Sequence, residues 1–99
     1  KLTPFTVYLL SFVEFEYDPA KSKINAEKHG IDFDRAKLLW LVEKRIVVHA
    51  RSITEPREAI IAQHDGGLWT AIYTMRGDSI RLISVRRSRD EEREGYNNR

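Results

Sequence analysis

The sequence predicts an α+β domain: an antiparallel β-meander with two helices ahead of it and one behind. Three observations carry this reading. Four short runs rich in β-branched and aromatic residues, RIVVHA, REAIIAQH, LWTAIYT and SIRLISVRR, follow one another with turn residues between them. Two aspartates upstream, Asp18 and Asp32, stand where helices would start. Near the C-terminus, Ser88 and Glu91 have the S-x-x-E spacing of a capping box.

In chain order, residues 1–12 are expected to be an extension and residues 13–99 a single core domain. The apolar run from Phe5 to Val13 is too short for a membrane span and lacks the flanks of a signal peptide. Glu14 to Tyr17 alternates like a strand. Asp18 then Pro19 open a helix to about His29, closed by Gly30. On it, Ala20 and Ile24 share one face, and Lys21, Asn25 and Lys28 another. Asp32 caps a second helix over Phe33 to Glu43, with an apolar stripe of Phe33, Ala36, Leu39, Trp40 and Val42.

Strands are expected at Arg45–Ala50, Arg57–His64, Leu68–Thr74 and Ser79–Arg87. Asp65-Gly66-Gly67 and Arg76-Gly77-Asp78 supply the hairpin turns. The RGD tripeptide is therefore read as a corner rather than an adhesion motif. Strict alternation in the last strand puts Arg81, Ile83, Val85 and Arg87 on one face, and Ile80, Leu82, Ser84 and Arg86 on the other. The final helix, Arg89 to Asn98, carries Tyr96 as its one sizeable apolar residue and is expected either to be solvated or to be completed by a partner. All helices are expected on one side of the sheet.

Composition limits the function. At 41% hydrophobic and 32% charged, the chain is ordinary for a globular domain. The net charge is only +2, so it is no basic tail, but seven of the eleven arginines fall between Arg76 and Arg99. Arginine presents a rigid fork of donors that matches phosphate and carboxylate. Zero cysteines exclude disulfides, thiolate zinc sites and a thiol nucleophile. No H-x₃-H or H-E-x-x-H spacing occurs, so no metal site is expected, and His49 and His64 read as cross-strand packing residues. His29 has two readings: a surface histidine favoured by the helix C-terminal dipole, or a proton-transfer group beside Lys28. Arg81 also has two, a structural ion pair or a phosphate clamp.

Three separated blocks in order carry a family resemblance: Asn25-x-x-Lys28-His29-Gly30-x-x-Phe33-x-x-Ala36, then Glu55-x-Arg57, then Arg76-Gly77-Asp78-x-Ile80-Arg81-x-Ile83-Ser84-x-Arg86. From Val13 to Tyr96 the chain resembles the BrnT toxins of BrnT–BrnA type II toxin–antitoxin modules. The resemblance implies a RelE-like ribonuclease fold and a cytoplasmic protein that cleaves RNA without metal or cofactor and arrests translation. It also implies neutralisation by a BrnA-like antitoxin, through whose complex alone operator DNA is bound. Lys28, His29, Arg57, Arg81 and Arg86 fall on the family's polar cluster and are the expected catalytic residues. Arg76 and Arg87 are expected RNA contacts; Arg89, Arg93 and Tyr96 are expected antitoxin contacts. The chain departs from the family pattern at Tyr17, where tryptophan is common, and at Ser52-Ile53-Thr54, which replace acidic and aromatic residues. The alternative is a non-catalytic nucleic-acid-binding or co-repressor protein using the same arginines on phosphates.

Overall fold

A computed structural model describes residues 13–98; the expected extension, residues 1–12, lies outside them. The elements are β1 (Glu14–Glu16), α1 (Pro19–His29), α2 (Phe33–Ala36) running into a 3₁₀ turn (Lys37–Leu41), β2 (Arg45–Ala50), β3 (Arg57–His64), β4 (Gly67–Arg76), β5 (Ser79–Arg87) and α3 (Asp90–Asn97). The five strands lie in the order β1-β5-β4-β3-β2. From β2 to β5 neighbours are antiparallel, but β1 joins the outer edge of β5 in parallel. The sheet is thus mixed, not the wholly antiparallel meander expected: α1 intervenes after β1 and the chain returns to the sheet at its far edge, on β2.

Local chemistry sets the boundaries. The Asp18 carboxylate accepts the Ala20 N–H at 2.8 Å, and Gly30 ends α1 at a φ of 81°. Asp32 caps α2 by accepting the Arg35 N–H. The second helix is shorter and tighter than expected. Phe33, Ala36, Leu39 and Val42 recur every three residues, and a 3₁₀ turn stacks such positions on one side. Phe33, Ala36 and Leu39 are almost wholly buried, with Val42 packed against them. At the β3–β4 hairpin, Asp65 and Gly66 both have positive φ, the two-residue I′ turn that suits twisted strands.

The α1 helix does not dock through Ala20 and Ile24, which are exposed. It buries Ser22 and Asn25. The Ser22 hydroxyl accepts the Phe33 N–H at 2.9 Å. The Asn25 amide donates to the carbonyls of Ile31 and Val85, both at 2.8 Å, and its oxygen accepts the Val85 N–H at 3.2 Å. Beyond the three residues paired with β1, one carboxamide thus satisfies the β5 edge as a neighbouring strand would.

Two cores lie on the two sheet faces. The larger, under α1 and α2, gathers Phe33, Leu39, Ile60, Tyr73, Leu82 and Val85. Edge-to-face aromatic pairs close it: Phe15–Trp40 at 5.2 Å, Trp40–Tyr73 at 5.1 Å and Tyr17–Phe33 at 5.5 Å. The smaller joins Ile46, Ile61, Leu68 and Tyr96 beneath α3. Since Ile60 and Ile61 are adjacent on β3, these cores lie on opposite faces, so α3 stands across the sheet from α1 and α2. The helices therefore lie on both faces of the sheet, not on the one side expected.

A bulge corrects the β5 alternation as well. Tyr73 pairs with Leu82, but Ile72 pairs with Ser84, leaving Ile83 as the extra residue. Ile80, Leu82 and Val85 all reach the large core. Arg81 and Arg86 therefore share the opposite face, and Arg87 joins the Val85 side.

Candidate nucleic-acid interface

The α3 face of the sheet is only partly covered. One end lies beneath the short α3; the rest forms an open groove of about 740 Å³. Its floor is aliphatic, from Val48, Ala59, Ile72 and Ile83, and its basic residues are Arg51, Arg57, Arg86 and Arg89. The bulge at Ile83 is what lets Arg86 face this groove.

Arg86 is held firmly. Its guanidinium grips the Glu92 carboxylate with two bonds, 2.7 and 2.9 Å. Glu92 also accepts the Arg89 N–H at 2.7 Å and the Thr70 hydroxyl at 3.1 Å. Burial alone would raise the Glu92 carboxyl, but the bonds from Arg86 and Arg89, with Thr70 adding to them, outweigh it and hold it below the usual carboxylate range. The start of α3 differs by one residue from expectation. Glu92, not Glu91, completes the cap, on Arg89, while Ser88 is buried and its hydroxyl pairs with Thr70 at 2.8 Å.

Arg57 is the contrasting case. The nearest carboxylate, Glu55, lies 3.8 Å from its Nε, and that Nε is buried without a hydrogen-bond partner. This guanidinium stands in the groove with its charge only loosely met. Arg81 lies on the same face toward the β1 edge, outside the groove lining, 3.7 Å from Glu16. Both partners are a third or more exposed, so this pair is a weak surface contact.

Lys28 and His29 occupy the last turn of α1 at the β5 edge and are not part of the groove lining. His29 lies one helical turn beyond Asn25, on the face that meets β5, and is half-buried. Arg76 sits exposed at the β4–β5 turn. Arg87 stacks on the Trp69 ring at 4.7 Å, on the large-core side. Arg93 is exposed on α3. Tyr96 does not wait for a partner. It is buried, its hydroxyl donates to the Lys44 carbonyl at 2.8 Å, and the Lys44 ammonium caps its ring. His49 borders the groove on β2, and His64 lends its carbonyl to the Trp69 indole N–H. Sequence reasoning missed Asn25 as the clamp and Glu92 as the anion on Arg86. The i, i+3 spacing of Arg89 and Glu92 was a legible signal for the second.

Among the described residues, no three His, Asp or Glu side chains cluster as metal ligands, and no helix is long and apolar enough to cross a membrane. Fold and groove together define an α+β protein with a basic, half-open sheet face suited to an anionic partner. The family model described as "Ribonuclease toxin, BrnT, of type II toxin-antitoxin system" matches residues 17–92. The chain belongs to that family, and so to ribonuclease toxins that are paired with an antitoxin. Comparison with curated proteins finds no significant match.

Proposed function

We propose that the protein is a cytoplasmic endoribonuclease toxin of RelE-like fold that cleaves RNA without a metal ion, arrests translation and is silenced by a BrnA-like antitoxin. Operator DNA is engaged only through the toxin–antitoxin complex. The observation that carries this reading is Arg57: a strand-borne guanidinium in an open groove, its Nε lacking a hydrogen-bond partner. Guanidinium groups aimed from a rigid sheet neutralise the charge that builds on phosphoryl oxygens as a 2′-hydroxyl attacks. Arg57, Arg81 and Arg86 serve that task on one face, with Arg76 and Arg87 as outlying RNA contacts.

The reaction also needs a base for the 2′-hydroxyl proton and an acid for the leaving 5′-oxygen. His29 is the proposed proton carrier and Lys28 its neighbouring phosphate contact. Asn25 ties their helix to Val85, the residue before Arg86, and this tie supports an RNA path over the β5 edge that would meet both groups. The test is single-turnover cleavage of a defined RNA. Arg57→Ala lowers the rate by more than about tenfold, equivalent to ~1.4 kcal/mol of transition-state stabilisation. His29→Ala lowers the rate and leaves RNA affinity nearly unchanged. RNA binding without cleavage by the wild-type protein would establish the non-catalytic alternative instead.

A further inference from the structure

The groove holds a feature that phosphate binding leaves unexplained, its aliphatic floor. Val48, Ile72 and Ile83 are half-buried on a sheet face that α3 covers at one end only. An antiparallel sheet with one solvated face ordinarily turns polar side chains to it. Here aliphatics recur on three strands, flanked by arginines. Contiguous apolar surface with a charged rim marks a docking site for another macromolecule.

We infer that this floor is the anchor site of the antitoxin: an acidic, amphipathic segment that seats an apolar side chain on Ile72 and Ile83 and sets carboxylates on Arg57 and Arg89. Charge complementarity argues for this occupant: the lining sets Arg51, Arg57, Arg86 and Arg89 against Glu91 and Glu92, and Glu92 is already taken up by Arg86. The groove already shows how it receives a carboxylate, since Glu92 lies bidentate on Arg86 within the same lining. Arg57 offers a second guanidinium whose own carboxylate neighbour is 3.8 Å away. RNA phosphates need the arginines but gain nothing from aliphatic side chains, and the lining holds no Phe, Tyr or Trp on which a base could stack, His49 at the border being its one ring. A peptide with alternating apolar and acidic residues uses both. The inference rests on the groove being the RNA site, because neutralisation then follows from occupancy.

The experiment uses the full chain and its cognate antitoxin, with affinity read by titration calorimetry and cleavage read separately on a defined RNA. Ile83→Asn removes the apolar anchor at the bulge. Ile72→Thr keeps a β-branched side chain in β4, so this variant folds even where the first does not. Each weakens antitoxin binding about tenfold or more, and in Ile72→Thr, which keeps the bulge residue that orients Arg86, cleavage by the free protein stays within about twofold of wild type. In either folded variant, unchanged antitoxin affinity overturns the inference. Loss of RNA cleavage with antitoxin affinity retained also overturns it and makes the floor a base-binding surface. Arg57→Gln separates the two readings. If cleavage survives it, the RNA assignment of the groove fails, whatever the floor variants do to antitoxin affinity.

Discussion

The two faces of the sheet are built to opposite rules. Under α1 and α2, aromatic and aliphatic side chains close on one another, and the polar groups there are matched: Asn25 serves three backbone partners, and Tyr73 donates to Glu58 at 2.9 Å. Burial and the Glu58 carboxylate hold the Tyr73 phenol well above its usual range, so it stays neutral. Beneath α3 a small apolar cluster covers one end, and the rest is an open aliphatic floor flanked by arginines. The contrast separates the face that carries most of the packing from the face that carries the proposed site. One face pins the strands; the other uses that rigidity to aim cations.

The sharpest way to break this contrast is to hollow the closed face. Phe33→Ala, at 1% exposure, costs about 3–5 kcal/mol in denaturant unfolding. A loss under 1 kcal/mol would mean that this core is not the stabilising one. Next is the polar clamp. Asn25→Ala strands the buried N–H and carbonyl groups of Val85 and costs about 2–3 kcal/mol. Cleavage falls as well, because His29 loses its tie to β5.

The smallest effect belongs to the open face. Glu92→Gln weakens the grip on Arg86 and costs about 1–2 kcal/mol. Its signature is pH dependence. The folded-state pKa of Glu92 is lowered, so its contribution is complete above the ordinary carboxylate range and is lost as pH falls through the folded-state value. Thermal melts across that acid window steepen for the wild type and flatten for Glu92→Gln. Parallel curves would show that Arg86 gains nothing from the charge.

The closed face was largely legible in sequence. The runs at 45–50, 57–64 and 79–87 became strands with those bounds, because β-branched residues between turn signals leave little alternative. Both aspartate caps and the glycine stop were read from local chemistry alone. What escaped was decided by tertiary contact. The docking face of α1 is polar, so hydrophobic spacing pointed to the wrong side. The bulge at Ile83 carries no glycine to announce it, yet it inverts the parity of Arg86 and Arg87 relative to Arg81. Ser88 and Arg89 both stand three residues before a glutamate, and only the Thr70 hydroxyl, eighteen residues upstream, withdraws Ser88 from the cap. The groove was legible as an excess of arginine, and the family resemblance singled out Arg57, Arg81 and Arg86, but nothing in the sequence put Arg89 into the lining or Arg81 outside it.

The central claim is that the arginines of the open face, with His29 at the β5 edge, cleave RNA without a metal ion. Its most direct test is incubation of antitoxin-free protein with a defined RNA in excess EDTA, with the new end groups identified. The account predicts cleavage undiminished by EDTA, leaving a 2′,3′-cyclic phosphate and a 5′-hydroxyl, and lost in Arg57→Ala. Cleavage abolished by EDTA and restored by Mg²⁺ would contradict it.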